Sequence, residues 1–191
     1  MTGLRSLRLV AAALFPLAAF ADLGEDLLAA VRKGDAVRGQ ALLDQGAAVD
    51  SKSPYGSTGL FFASDRGNLE IVKILLDHGA DVNVKNTFYG ATALGWATEK
   101  QRVEFIQLLL SKRANGVNDV LSSGVEKGNI EMVRLAIRSK TDLTAENLTE
   151  ALDQAIKKNR KEIAELLTAA GTKPLVHPNF PVALEVLKSC R

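Results

Sequence analysis

The side chains that could act as catalytic bases, nucleophiles or metal ligands are few in this chain. It has two histidines, His78 and His177, and one cysteine, Cys190. No histidine pair has the spacing of a metal site, and the sequence has neither a Gly-x-Ser-x-Gly elbow nor a phosphate-binding glycine loop. The sequence therefore predicts no catalytic residue, no cofactor and no metal ion. An enzyme built from this chain would need a pocket of Asp, Glu and Tyr without histidine.

Each of these three residues also has a structural interpretation. His78 stands at the end of a predicted helix, where a cation interacts favourably with the helix dipole. His177 lies between prolines, in a segment that leads to a last short helix. Cys190 has no second cysteine to pair with, so an internal disulfide is excluded. We expect a free thiol there, with a disulfide between two chains as the alternative.

The chain repeats itself. The string LLDQGAAVD at 42–50 recurs as LLDHGADVN at 75–83, and later units follow at shorter intervals, which predicts shorter loops. Each unit has two apolar helices, and neither can bury its apolar face without neighbouring units. The first helix of each unit should end where Gly or a polar residue can adopt a left-handed conformation. These positions are Gly34, Gly67, Gln101, Gly128 and Asn159.

The second helix of each unit begins directly after this turn. Asp35, Asn68 and Asn129 stand at three of these starts and can accept hydrogen bonds from free backbone amides, whereas Arg102 and Arg160 stand at the other two. Glycine recurs where the second helix ends. Arg113 and Lys140 replace it in two units, and because a left-handed residue with a β-carbon costs roughly 1–2 kcal/mol, we expect those turns to be rebuilt, around Gly116 in the first case.

The segment GNLEIVKILLDHGADVNVKN at 67–86 resembles the ankyrin-repeat pattern in nearly every position. The first helices open as Thr58-Gly59-Leu60-Phe61 and Thr92-Ala93-Leu94-Gly95, without the proline and histidine that the family has there. The resemblance implies an all-α solenoid with short hairpin fingers, a concave face lined by first helices, and about five units. The expected units are 22–52, 53–86, 87–117, 118–145 and 146–173.

The two ends of the chain do not follow the repeat. Residues 1–21 combine a basic start, an apolar core and the small-x-small site Ala19-Phe20-Ala21, which is typical of a cleaved bacterial signal peptide. A membrane anchor is the alternative, but a span needs about 20 apolar residues, and Pro16 interrupts a shorter run. We therefore expect a periplasmic or secreted product without stable membrane insertion. Residues 174–191 should form a capping helix, or alternatively a partner-binding tail.

The charge balance argues against nucleic acid as a partner. The chain has 24 basic and 22 acidic residues, and two of the basic ones, Arg5 and Arg8, fall within the predicted signal peptide. The mature chain would therefore be formally neutral, whereas binding to phosphates depends on clustered cations. We expect a monomer that binds another protein.

Aromatic residues at the predicted finger tips are candidates for that contact. Tyr55 lies in the first finger, and Phe88 and Tyr89 lie in the second, which is one residue longer. They could fold back on the neighbouring finger or serve as exposed anchors, since Tyr and Phe are enriched at protein interfaces. Phe62 and Trp96 occupy equivalent places in two first helices, and we expect them to stack between repeats in the core.

Charged residues precede each first-helix stop and form a second candidate surface on the concave face. We name these ten residues the charged row. It contains seven cations and three acids: Arg32, Lys33, Asp65, Arg66, Glu99, Lys100, Glu126, Lys127, Lys157 and Lys158. The row could be an ordinary solvated helix surface, or it could receive an acidic partner with Arg66 and Lys100 near its centre. The expected contact residues are Tyr55, Arg66, Phe88, Tyr89, Glu99, Lys100 and Lys127.

Three functional hypotheses remain open. In the first, an exported binding protein inhibits or neutralises one periplasmic enzyme, as an immunity or self-protection protein does. In the second, it supports an exported peroxide-removing enzyme in oxidative-stress defence. Both are analogies that come from the resemblance to small exported ankyrin proteins. Fold alone does not give function. In the third, the chain is itself an enzyme, which its residue content disfavours.

Overall fold

The computed structural model describes residues 17–139 and 143–172, with side chains from residue 23 onward. Within these ranges the chain forms ten α-helices and no strand, which confirms the predicted all-α class. The helices are α1 (Leu17–Lys33), α2 (Ala36–Asp44), α3 (Gly59–Arg66), α4 (Leu69–Asp77), α5 (Ala93–Glu99), α6 (Val103–Ser111), α7 (Val117–Lys127), α8 (Ile130–Ser139), α9 (Ala145–Lys157) and α10 (Lys161–Ala169).

Several expectations fall on residues outside the described ranges. They concern the start of the signal peptide, the turn at Lys140, and the C-terminal segment with His177 and Cys190. Helix α1 runs through the predicted cleavage site between Ala21 and Asp22.

The helices form five consecutive pairs arranged in two layers. The odd-numbered helices contact one another in chain order, and each packs against the even-numbered helix that follows it. Side chains in the same register fill the space between the layers. In the odd-numbered helices they are Leu27, Leu60, Leu94, Leu121 and Leu152, and in the even-numbered helices they are Leu42, Leu75, Leu109, Ala136 and Leu167, all buried. Burial of each leucine contributes about 1.5–3 kcal/mol, so the repeat of the sequence is a repeat of the core.

The turns between paired helices have the predicted left-handed conformation. The φ angles are +78° at Gly34 and Gly67, +72° at Gly128, and +54° at Gln101 and Asn159. The three short polar residues that follow such turns accept backbone N–H groups as predicted. The side chain of Asp35 accepts the amide of Arg38 at 2.9 Å. In the same way, Asn68 accepts the amide of Ile71 at 3.1 Å, and Asn129 accepts that of Met132 at 3.2 Å. Helix starts are therefore well encoded in those units.

Arg102 and Arg160 donate hydrogen bonds to the preceding unit. Neither caps its own helix. The guanidinium of Arg102 donates to the carbonyl of Ser64, and that of Arg160 donates to the carbonyl of Glu126 at 3.4 Å. Both carbonyls lie in the last turn of the first helix in the preceding unit, where a cation is favoured by the helix dipole. These arginines therefore join neighbouring units.

The expectation of a rebuilt turn at Arg113 is wrong. Arg113 adopts a left-handed φ of +62°, and the next amide, Ala114, donates to the carbonyl of Leu109 at 3.1 Å. The bond from Ala80 to Leu75, after Gly79, has the same form and a length of 3.0 Å. The turn is retained because this hydrogen bond and the burial of Ala114 oppose the cost of the left-handed residue.

Two long connections form the predicted fingers, finger 1 at 45–58 and finger 2 at 78–92, whereas the next connection is only 112–116. The fingers consist of turns and are hydrogen-bonded to each other. The amide of Asp81 donates to both carboxylate oxygens of Asp50 at 3.1 Å. Near the tips, the Thr87 amide donates to the Tyr55 carbonyl at 3.0 Å. The tip of finger 1 is therefore fixed to that of finger 2.

Close packing of α7 on α8 gives a stability test with two matched glycines. A β-carbon on Gly124 would lie 2.9 Å from Val133 Cγ2, whereas one on Gly39 would meet no atom within 4 Å. We expect Gly124→Ala to lower the free energy of unfolding by about 1–3 kcal/mol through overpacking. Gly39→Ala should raise it by about 0.5–1 kcal/mol, because alanine favours a helix interior. Urea denaturation followed by circular dichroism measures both, and equal effects of the two substitutions would contradict the packing described.

A second pair of substitutions concerns hydroxyl groups on α5 and at its start. The buried Thr98 hydroxyl has no hydrogen-bond partner within the described structure. Thr98→Val should therefore raise the free energy of unfolding by about 1 kcal/mol. The Thr92 hydroxyl accepts from the Gly95 amide at 3.1 Å, so Thr92→Val should lower it by about 1 kcal/mol. Thermal and urea unfolding test the two signs, and a loss of stability in Thr98→Val would show that its hydroxyl is paired.

Candidate protein-binding surface

Six aromatic side chains form one continuous series of ring contacts across the fingers and two first helices. We name this series the aromatic run. The chain has seven Phe, two Tyr and one Trp, so more than half of its aromatic residues lie in the run. In order of contact they are Tyr55, Phe88, Tyr89, Trp96, Phe61 and Phe62.

The finger end of the run is exposed. The ring centroids of Tyr55 and Phe88 are 6.3 Å apart, and those of Phe88 and Tyr89 are 4.6 Å apart, both pairs edge to face. The exposed fraction is nevertheless 66% for Tyr55 and 68% for Phe88 and Tyr89. Each of the two alternatives is therefore correct in part. The rings contact the neighbouring finger, and they still present most of their surface to solvent.

Local turn chemistry holds these rings in place. Gly56 and Gly90 follow Tyr55 and Tyr89 with φ of +69° and +63°, a conformation that glycine adopts without strain. The buried side chain of Asn86 accepts the amide of Tyr89 at 2.9 Å and closes the tip of finger 2. The exposed rings thus stand on turns that are hydrogen-bonded internally and to each other.

The helix end of the run is half-buried. Trp96 lies between Tyr89 and Phe61, at centroid distances of 6.1 and 5.6 Å, and its indole N–H donates to the carboxylate of Asp65. Phe61 contacts Phe62 at 6.0 Å. The expectation that Phe62 and Trp96 stack on each other in the core is wrong. Phe61 stands between them, and both keep part of their surface in solvent.

Two cations of the charged row lie against rings of the run. The guanidinium of Arg32 is 4.3 Å from the Phe62 centroid, and the ammonium of Lys100 is 5.5 Å from the Trp96 centroid. Such cation–π contacts are worth about 0.5–1 kcal/mol at exposed sites. They connect the charged row to the aromatic run, so that one surface carries both apolar area and positive charge.

The remaining predicted contact residues differ in how available they are. Glu99 and Lys127 bind each other, with 3.1 Å between the ammonium and the carboxylate, and Lys127 also donates to the Glu99 carbonyl at 2.9 Å. Arg66 is exposed and makes no ion pair with any described residue. The geometry thus brings Tyr55, Phe88, Tyr89 and Lys100 into one surface, while Glu99 and Lys127 serve the contact between units.

Sequence reasoning missed Phe61 as part of the surface, and it assigned Phe62 and Trp96 to the core. The neighbouring aromatics Phe61 and Phe62 were the available signal. Leu60 and Ala63 are fully buried positions of this helix, and Phe61 and Phe62 lie between them, so both rings keep part of their surface in solvent.

A cleft of about 400 Å³ lies between α1 and finger 1. Its lining carries both signs of charge, with Glu25 and Asp26 opposed by Arg32 and Lys52. Asp26 is itself bonded to Arg38 at 3.4 Å. No group of three or more His, Cys, Asp or Glu residues in the described ranges could hold a metal ion.

His78 has the structural surroundings that the sequence predicts. Its Nδ1 lies 2.9 Å from the Ile74 carbonyl, and its Nε2 lies 3.2 Å from Gln40 and 3.4 Å from Asp44. It thereby links the ends of α2 and α4.

Among the described helices, none is both long and apolar enough to cross a membrane.

Comparison with known proteins gives relatives for the repeats. Residues 27–120 match the family model for ankyrin repeats in three copies. A stretch of 65 residues, 33% of this chain, is 46% identical to the probable E3 ubiquitin-protein ligase XBOS33 of Oryza sativa subsp. japonica. A stretch of 50 residues, 26% of this chain, is 46% identical to the human protein "Ankyrin repeat, SAM and basic leucine zipper domain-containing protein 1".

These matches cover small parts of the relatives, 12% of the ligase and 10% of the human protein. The shared part is the repeat region. The matched repeats agree with the helix pairs and left-handed turns described above. The chain is therefore an ankyrin-repeat protein, a module for protein–protein interaction.

Proposed function

We propose that the protein is exported to the periplasm, binds one enzyme there through the aromatic run, and inhibits it. The observation that carries this proposal is the exposure of three large aromatic side chains on hydrogen-bonded finger tips. Aromatic residues are enriched in the central, energetically dominant parts of protein interfaces. Moving their exposed apolar surface from water into an interface with a partner would be favourable.

The stiffness of the finger tips supports a binding role. Tyr55 and Phe88 belong to different fingers, and their rings are in contact. Next to them, the two fingers are joined by the hydrogen bond from the Thr87 amide to the Tyr55 carbonyl. A partner would therefore meet rings that are already close to their bound positions. Fixing a loop before binding reduces the entropy that association costs.

The rest of the chain supports binding rather than catalysis. Asp65 and Lys100 are both engaged with Trp96, since Asp65 accepts the indole N–H and the Lys100 ammonium lies 5.5 Å from the ring centroid. The ligase relative shares only repeats with this chain. Inhibition would follow if the finger tips or the concave face covered the partner's active site.

The binding role can be tested with variants of the exposed rings. We expect the tagged full chain to capture one enzyme from a periplasmic extract and to lower its activity at stoichiometric amounts. The double variant Phe88→Ala/Tyr89→Ala should lose at least about 2 kcal/mol of binding free energy, as interface anchors do. Because both side chains are two-thirds exposed, the melting temperature of the free protein should change little.

Val37→Ala is the matched control. Val37 is the other large apolar side chain that is strongly exposed in the described structure, at 82%, and it lies on α2, away from the run. It should bind like the wild type. Failure to enrich any enzyme, or equal loss of binding in both variants, would contradict the proposal. An increase in the partner's activity would replace inhibition by the supporting role toward a peroxide-removing enzyme.

Export has a separate test. In a bacterial host, the tagged chain should be recovered from the periplasm with Asp22 as its first residue, because the signal peptidase recognises small side chains before the cut. Ala21→Arg should block processing, whereas Val37→Ala should leave it unchanged. Intact mass and N-terminal sequencing give the answer, and recovery of the unprocessed wild-type chain from the cytoplasm would exclude a periplasmic function.

A further inference from the structure

We propose that the aromatic run and the neighbouring cations of the charged row, Arg32, Lys33, Arg66 and Lys100, together bind an extended, acidic segment of the partner, in which carboxylates alternate with large apolar side chains. This inference rests on the proposed function and specifies the chemistry of its ligand. It is carried by three observations, which concern the shape of the run, the charge beside it and the contacts between the two.

The ring contacts set an upper limit on the length of an extended segment that the run can bind. The five centroid distances, between 4.6 and 6.3 Å, follow one another from finger 1 to α3. They limit the run to roughly 30 Å, which an extended peptide of about nine residues spans. Alternate side chains of such a peptide point to one side, so its apolar side chains could lie along the rings while the others reach the border of the run.

The charge beside the run is positive. The six members of the charged row that belong to the first three units, which carry the run, are four cations and two acids, with a formal net charge of +2. Both acids are already engaged, Glu99 with Lys127 and Asp65 with the indole of Trp96. Lys33 and Arg66 are exposed without an ion-pair partner in the described part of the chain. A carboxylate on the ligand would therefore meet cations that are not neutralised.

The contacts between ring and cation place both kinds of group side by side. Arg32 lies over Phe62 and Lys100 lies over Trp96. A guanidinium that stacks on a ring keeps its N–H groups available at its edge, in a geometry that suits a carboxylate. The ligand therefore needs an acidic group close to an apolar one, which an acidic-apolar peptide supplies in successive side chains.

A single-stranded nucleic acid is the other ligand that combines flat apolar groups with negative charge. Its binding depends on neutralising successive phosphates with several cations. Among the ring contacts of the run, only those of Phe62 and Trp96 include a cation. The exposed rings at the finger tips are therefore better suited to apolar side chains than to a phosphate backbone.

Selection from a random nonapeptide library displayed on phage tests the proposal without knowledge of the partner. The full chain is the bait, with a fluorescent twelve-nucleotide oligothymidylate as the parallel probe. We expect enrichment of peptides in which Asp or Glu alternates with Leu, Ile, Phe or Trp, and no binding of the oligonucleotide at 150 mM salt. Absence of enrichment, enrichment of basic peptides, or tighter binding of the oligonucleotide would overturn the proposal.

Charge reversal then tests the role of the row with the best selected peptide, measured by fluorescence anisotropy. Arg66→Glu/Lys100→Glu should weaken binding at least about tenfold, mainly through slower association. Lys157→Glu/Lys158→Glu makes the same charge change at the C-terminal end of α9, in the same row but away from the rings, and should weaken binding less than about threefold. Equal effects of the two double variants would overturn the proposed site.

The proposed function and the proposed ligand chemistry can fail separately. If an enzyme is captured and released by Phe88→Ala/Tyr89→Ala, while the library yields no acidic-apolar peptide, the proposed function stands and the ligand chemistry is wrong. If the library yields such peptides but no enzyme is captured, the site exists and the proposed inhibition is wrong.

Discussion

Leucines buried between two layers of helices hold the repeats together, and no helix pair can bury them by itself. Leu60, for example, is covered only because α1 and α5 flank α3 and α4 closes the other side. Such a stack has a core that is continuous along its length and depends only on contacts between neighbours. Binding must therefore occur on the surface of the stack, where the fingers and first helices offer a continuous face.

The joints between units show how the sequence reinforces this stack. A β-carbon on Gly67 would lie 3.0 Å from the Arg102 guanidinium, and one on Gly128 would lie 2.9 Å from that of Arg160. Each arginine covers the turn of the unit before it and donates to a carbonyl there. Both arginines follow a left-handed residue that is not glycine, so the units that bear this strain also hydrogen-bond back to the unit before them. This explains two helix starts that lack an Asp or Asn cap.

Much of this fold could be predicted from the sequence, because its signals are local. A left-handed turn is encoded by Gly or Asn, and a cap by Asp or Asn, within a few residues of the feature itself. Arg113 departs from that code and still adopts the left-handed turn, which is closed by the same bond from the following amide, Ala114 to Leu109, that closes the turn at Gly79.

The surface was predicted less completely, for a related physical reason. Repeat alignment shows which residues are equivalent, but not which residues of adjacent helices touch. Phe62 and Trp96 are equivalent, and yet the neighbour of Trp96 is Phe61. The exposed rings of finger 2 could be suspected from the extra residue in its tip, whereas the link from those rings to the concave face required the geometry of Tyr89 and Trp96.

Trp96 can report whether the aromatic run is the binding surface. It is the only tryptophan of the chain and lies inside the run. Labelling with 5-fluorotryptophan gives a single fluorine resonance, which can be followed by NMR while the captured enzyme is added. If the run lies in the interface, this resonance will shift and lose its sensitivity to solvent as the complex forms. A resonance that keeps its position and solvent sensitivity in the fully formed complex would contradict a binding role for the run.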